Sequence, residues 1–248
     1  MPRYFLEICY DGTNYHGWQV QTNAHSVQAE VDKALETLFR TTIRTLGCGR
    51  TDTGVHAKQF FLHFDHEIEI ELERICRKLN AMLPPDISAL SIREVVPDSH
   101  TRFHATQRSY QYVFNNRKDP FQDRFSAPNH YNLDIELMNK ASQILLDTKD
   151  FGAFCKVGSA IKTTLCDVRK ASWSETGNQL LFDISADRFL RSMVRATVGT
   201  LVQVGRGKVS IQEFAEILSS GDRREAGASA RASGLHLVEV VYPDTIWK

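Results

Sequence analysis

Residues 4–39 read Y-F-L-E-I-C-Y-D-G-T-N-Y-H-G-W-Q-V-Q-T-N-A-H-S-V-Q-A-E-V-D-K-A-L-E-T-L-F. The first seven, Tyr4 to Tyr10, alternate and are rich in aromatic and apolar side chains, which is a strand pattern. Val27, Val31, Ala34, Leu35, Leu38 and Phe39 recur at helical spacing, and Ser26 is a good N-cap just before them. A short strand around Ile43 to Leu46 and a longer one from Gln59 to about Ile70 follow. Leu72, Ile75, Leu79, Met82 and Leu83 mark a second helix, stopped by Pro84-Pro85. Ala89 to Val96 is a strand ended by Pro97. The first half therefore reads β-α-β-β-α-β.

The second half repeats that order. Ser109 to Asn115 is a strand and Ile135 to Leu146 a helix. Leu165 to Trp173 and Leu180 to Ala186 form a hairpin through Thr176-Gly177-Asn178. Leu190, Met193, Val194, Thr197, Val198, Leu201 and Val202 make the apolar face of another helix. A short helix near Ile211 to Leu218 and a strand from Leu235 to Tyr242 complete it. The expected fold class is α+β: two RRM-like, ferredoxin-like units with antiparallel sheets flanking a central active-site cleft. An N-terminal domain over 1–105 and a C-terminal domain over 106–248 follow from this reading. The repeat lies in the order of elements only, and such folds host many functions, so function has to come from the site.

Composition bounds the class. The chain has 248 residues, 42% hydrophobic and 24% charged, with 7 prolines and 14 glycines, an ordinary globular make-up. No apolar run approaches the roughly 20 residues that span a bilayer, so no membrane is expected. The start lacks a secretory or transit pattern. Cys9, Cys48, Cys76, Cys155 and Cys166 are odd in number and widely spaced, against a disulfide framework or a structural zinc site. Free thiols without a leader point to the cytoplasm. Thirty basic residues balance thirty acidic ones. Five of the acids, Asp65, Glu67, Glu69, Glu71 and Glu73, alternate in a stretch without Lys or Arg, so the remainder is net positive and local basic surfaces are open to it. The acidic run reads as a solvated strand edge.

The densest cluster of reactive side chains is G-C-G-R-T-D-T-G-V-H-A, residues 47–57. Its glycines give a loop with unusual backbone freedom, presenting Arg50, Asp52 and His56. Arg50 can keep Asp52 ionised or contact phosphate. On residue types alone, Asp52 reads first as a turn residue capping backbone N–H groups, because Asp and Gly are ordinary turn residues.

G-R-T-D-T-G-V-H-A closely resembles the signature of the TruA family of tRNA pseudouridine synthases. So do Y-D-G-T-N-Y-H-G-W-Q at 10–19, S-V-Q at 26–28, F-H-A at 103–105, R-S-Y-Q-Y at 108–112, D-F-G-A-F at 150–154, M-V-R at 193–195 and G-L-H-L at 234–237. The resemblance is ordered and covers essentially the whole chain. It implies isomerisation of uridine to pseudouridine in the anticodon stem-loop of tRNA, at positions 38 to 40. It implies Asp52 as the catalytic carboxylate, attacking the nucleoside or acting as a base at the sugar. It implies Tyr110 as the aromatic that contacts the target base, Arg195 as the basic partner of Asp52, and Arg50 as the residue beside the flipped nucleotide. A homodimer with tRNA bound across both subunits belongs to the same resemblance, and no DNA partner is expected. The isomerisation is redox-neutral and requires no cofactor or metal. Thr53 departs from the family, replacing the alanine usual after the catalytic Asp.

From residue types alone, Tyr110 reads as core packing with Tyr112 and Phe114, and Arg195 as a side chain snorkelling to solvent. His63, Asp65 and His66 do not match a known metal spacing, and Cys48 reads as a small buried thiol. Two rival functions differ in what they predict. A non-catalytic RNA-binding module would leave the RNA unchanged, and a metal-dependent hydrolase using Asp52 and His56 would be lost to a chelator. A paralogue modifying another RNA site is a third alternative.

Overall fold

The computed structural model describes residues 1–67, 71–158 and 161–248. It is a mixed α+β structure whose strand pairs are mostly antiparallel. It divides into two compact units: Met1–Thr106 with Leu237–Lys248, and Gln107–His236.

The first unit contains β1 (Arg3–Tyr10), α1 (Val27–Phe39), β2 (Leu46–Gly47), β3 (His56–Asp65), α2 (Leu72–Met82) and β4 (Ile87–Val95). β1 pairs antiparallel with β3 on one side and β4 on the other, with Leu6 opposite both Leu62 and Ile92. Tyr4, Leu6, Ile8 and Tyr10 are buried on one face of this central strand, and Phe5 is buried on the other, where Glu7 and Cys9 are half-buried. Ser26 caps α1 as its sequence expects, its side chain accepting from Ala29 N at 3.3 Å. α2 stops at Met82, and Leu83 is already extended, the conformation forced on a residue before proline.

One difference from the sequence reading has a local cause. The strand expected at Ile43 to Leu46 shrinks to Leu46–Gly47. Thr45 is held by side chains rather than a ladder: Gln28 Nε2 donates to its carbonyl at 2.9 Å, and its hydroxyl donates to Asp32 Oδ1 at 2.5 Å. β3 ends at Asp65, and the expected continuation to Ile70 falls on residues 68–70, outside the described residues. Among the described residues of the acidic run, Asp65 ends β3, while Glu71 and Glu73 belong to the start of α2 rather than to a strand. Asp65 forms a forked pair with Arg3, at 2.7 and 2.8 Å. Glu71 and Glu73 sit at the N-terminus of α2, where the helix dipole favours negative charge. Glu69 lies outside the described residues.

The second unit contains β5 (Gln107–Asn115), β6 (Ala127–Pro128), α3 (Ile135–Asp147), β7 (Val168–Thr176), β8 (Gln179–Ala186), α4 (Met193–Gly205) and α5 (Ile211–Ser220). β8 pairs antiparallel with both β5 and β7. The expected hairpin closes at Thr176 and Gln179, with Gly177 at φ +60° in its two-residue loop. β7 starts at Val168 rather than Leu165, because Leu165 and Cys166 turn instead to the segment at Lys149 and Asp150. The short β6 joins β5 in parallel and was not foreseen. α4 is buried almost all round, not on one face: Ala196, Gly199 and Thr200 are covered too. A Cβ at Gly199 would lie 1.8 Å from the Ala228 carbonyl oxygen, so segment 226–230 rests directly on this helix. The Thr197 and Thr200 hydroxyls donate to Met193 O and Ala196 O, which satisfies them inside the core.

The final strand, β9 (Leu235–Val241), was expected in the second domain, but from Leu237 onward the chain belongs to the first unit. β9 neighbours β3 there. Tyr242 is the anchor: its hydroxyl donates to Thr101 O at 2.7 Å, and its ring packs on Phe5, Phe61 and Trp247 at 5.3, 5.2 and 5.9 Å. Alternation in the sequence identifies a strand without saying which sheet it joins. Among the described residues, no helix is long and apolar enough to cross a membrane.

Candidate active site

The loop that leaves β2 and enters β3 carries Arg50 and Asp52. Arg50 is exposed, Asp52 half-buried, and Val55 and His56 are buried. A turn forms at Asp52, whose carbonyl accepts from Val55 N at 3.1 Å, with Gly54 at φ +76°. The turn at Asp52 is thus made by backbone atoms.

A second loop, residues 11–17, lies hard against this turn. Gly54 N donates to Tyr15 O at 3.2 Å, Gly12 N donates to His56 Nδ1 at 3.1 Å, and the hydroxyls of Tyr10 and Thr51 are 2.9 Å apart. Two glycines permit the approach. A Cβ at Gly12 would stand 2.0 Å from Val55 O, and one at Gly17 would stand 2.2 Å from Thr51 O. Gly17 also has φ +87°, a conformation L side chains rarely adopt. The second loop is fixed in turn: Asp11 N donates to Asp86 O at 2.9 Å, and Tyr15 OH donates to Asp86 Oδ1 at 2.5 Å. Burial and the bond to Asp86 push the Tyr15 phenol upward, so it stays a neutral donor. Asp52 is therefore held by a framework from a distant stretch of sequence, the support a reactive carboxylate needs for fixed geometry.

His56 belongs to that framework. Its Nδ1 faces both Gly12 N and Asp11 Oδ1, each at 3.1 Å, so it accepts from one when unprotonated and donates to the other when protonated. His63 bonds the Thr101 hydroxyl at 2.9 Å, Asp65 pairs with Arg3, and His66 packs on the Phe39 ring. Burial drives His63 down to about 4, with His100 and Arg3 adding to the shift, so its imidazole is neutral near pH 7. These three side chains face different partners, and among the described residues no group of three or more His, Cys, Asp or Glu could hold a metal ion. Cys48 is buried beside the loop.

The other two expected site residues lie in the second unit. Tyr110, on β5, is half-buried, opposite Ile184 on β8, and its ring meets Phe189 edge-on at 5.1 Å. Tyr112 and Phe114 share its strand face but are buried. Tyr110 is thus the least buried of the three aromatics on this face. Arg195, in the first turn of α4, is anchored rather than snorkelling. Its Nε donates to Ala230 O at 2.8 Å and its carbonyl accepts from Ala230 N at 2.9 Å. Burial pushes the Tyr112 phenol upward, and the charges of Arg195 and Arg231 oppose that rise. The residues that sequence reasoning missed are the supports: Gly12, Gly17, Tyr15 and Asp86 in one unit, and segment 228–231 in the other.

Gly17→Ala tests the framework. The methyl collides with backbone and the φ is unfavourable, so we expect a loss of about 2–4 kcal/mol of stability, read as a fall in Tm. An unchanged Tm would show that the 11–17 loop does not depend on this close approach.

The comparisons with known proteins agree along the whole chain. The family model described as tRNA pseudouridine synthase matches residues 141–243. The tRNA pseudouridine synthase A of Bacteroides thetaiotaomicron is 45% identical over 250 residues, covering 100% of this chain and 93% of that protein. The one from Bacteroides fragilis is 44% identical, covering 100% and 99%. The one from Moorella thermoacetica is 42% identical, covering 98% and 100%. With identity of that level from end to end, the chain belongs to the tRNA pseudouridine synthase A family, a family of isomerases.

Proposed function

We propose that this protein isomerises uridine to pseudouridine in the anticodon stem-loop of tRNA, at positions 38 to 40, with Asp52 as the catalytic carboxylate. The observation that carries the reading is the bracing of the Asp52 turn by Gly12, Tyr15 and Gly17. That is a costly way to build an ordinary turn and a sound way to hold a reacting group. In the proposed reaction the uracil leaves C1′, rotates while held, and rejoins through C5. A single carboxylate serves either as nucleophile or as proton acceptor in that sequence. Atoms and electrons balance within the nucleoside, so no cofactor enters.

The remaining roles belong to the same proposal. Arg50, exposed on the Asp52 loop, fills the place of the flipped nucleotide or holds its phosphate. Tyr110 presents its half-open ring to the target base, and Arg195, fixed by Ala230, supplies a cation to the substrate. In the first unit β1 lies between β4 and β3, and β3 neighbours both the two-residue β2 and β9; the β4-β1-β3-β2 part of that arrangement supports the RRM-like reading. A cytoplasmic homodimer with tRNA across both subunits completes the proposal.

The test is the purified protein on unmodified tRNA transcript, with pseudouridine mapped by position. Modification confined to positions 38 to 40 is the expected result. Modification elsewhere in the RNA would reassign the site, and bound but unaltered RNA would leave only a binding module.

A further inference from the structure

Residues 98–106 follow β4 in the first unit and form a tight, heavily anchored turn. Thr101 is completely buried at its base. Its hydroxyl donates to Leu46 O at 2.8 Å and lies 2.9 Å from His63 Nδ1, while its carbonyl accepts from the Tyr242 hydroxyl at 2.7 Å. Arg3 Nη1 donates to Ser99 O at 2.9 Å, and His104 N donates to His100 O at 3.0 Å to close the turn. Thr106 N donates to Val241 O at 2.8 Å.

At the tip of this rigid turn, Phe103 is 72% exposed. Its ring packs on His100 with centroids 4.3 Å apart, and the Arg102 guanidinium carbon lies 5.6 Å from its centroid. Nothing in the turn obliges an aromatic there, because the fold is secured by Thr101 one turn below. An exposed ring joined to a cation, on a base held by several hydrogen bonds, is an arrangement that can stack a nucleobase and pair its phosphate. Its position fits the catalytic loop. Thr101 is bonded to Leu46, the first residue of β2, and β2 runs directly into the loop that carries Asp52.

We propose that Phe103 and Arg102 form a second nucleotide contact, Phe103 stacking an unpaired base of the RNA substrate and Arg102 meeting its phosphate. This rests on the RNA substrate of the proposed function and adds a contact outside the reacting nucleotide. The stack contributes to binding and does not touch the chemical step.

Steady-state kinetics and direct tRNA binding test it on the full-length protein. Phe103→Ala should raise both KM and Kd roughly tenfold, the range of one base–aromatic stack, with kcat held. Phe103→Tyr should behave as wild type, and Phe103→Leu as the Ala variant, since leucine is apolar but has no π face. Arg102→Gln should reduce the slope of log K against log salt by about one. Unchanged KM and Kd in Phe103→Ala would overturn the proposal. So would a Leu variant as good as wild type, or an effect confined to oligomeric state in sedimentation, because either marks a protein contact instead. The ring is exposed, so all variants should keep the wild-type Tm. Failure of the wild type to form pseudouridine would refute the proposed function, while the Kd measurements would still decide on the RNA contact.

Discussion

Asp52→Asn is expected to abolish pseudouridine formation in a protein that still folds and still binds tRNA. The amide is nearly isosteric with the carboxylate and retains an accepting oxygen. The turn should survive, because it is made by backbone: Val55 N to Asp52 O, and Gly54 N to Tyr15 O. An amide is neither an effective nucleophile nor a base at neutral pH, so both routes to breaking the glycosidic bond fail together. Turnover should drop by more than about a thousandfold, the scale on which a positioned acid–base or nucleophilic group acts. Binding rests on a wider surface and should change little, or tighten as one negative charge near phosphate is removed. A melting curve and a binding isotherm on the same preparation separate the outcomes. A folded variant with appreciable turnover would remove Asp52 from the chemistry, and an unfolded one would return it to the turn.

Tyr110 gives the second large effect, and two substitutions divide it. Tyr110→Phe keeps the ring against Phe189 and removes the hydroxyl, whereas Tyr110→Ala removes both. If the ring holds uracil, Ala should weaken productive RNA binding far more than Phe, by the 1–3 kcal/mol or so that a base stack supplies. If the hydroxyl moves a proton, Phe should lose turnover while binding survives. Tyr112 is the contrast: it is buried and its hydroxyl donates to Arg231 O at 2.8 Å, so its truncation should cost stability first. Full activity in both Tyr110 variants would make that residue a packing aromatic like its neighbour.

The order of elements was legible because periodicity and punctuation agreed. Ser26 before the apolar spacing of Val27 to Phe39, and Pro84 after Met82, mark where a helix can begin and end. Strand partners were less legible. Leu237–Lys248 joins the first unit through Tyr242, Phe5 and Thr101, contacts separated by more than a hundred residues that alternation does not encode. α4 read as amphipathic because Ala196, Gly199 and Thr200, off the expected apolar face, look polar or neutral on paper. Their burial follows from the Thr200 hydroxyl bonded within the helix and from segment 226–230 resting on Gly199.

The site divides in the same way. The glycine-rich loop and its single carboxylate stood out by composition, and the family resemblance supplied the role proposed for Asp52. The framework did not stand out. Gly12 and Gly17 are ordinary turn glycines in sequence, and only the approach of the 51–55 backbone shows why no side chain fits. The difference between Tyr110 and Tyr112 was hidden too. Both alternate onto one strand face, and their different burial depends on what covers each end of that strand.

The most direct measurement is a map of pseudouridine in tRNA from a strain lacking this gene, complemented with wild-type protein or with Asp52→Asn. The account predicts loss confined to the anticodon arm, restored by wild type and not by the Asn variant. Restoration by Asp52→Asn, or a map unchanged by the deletion, would contradict it.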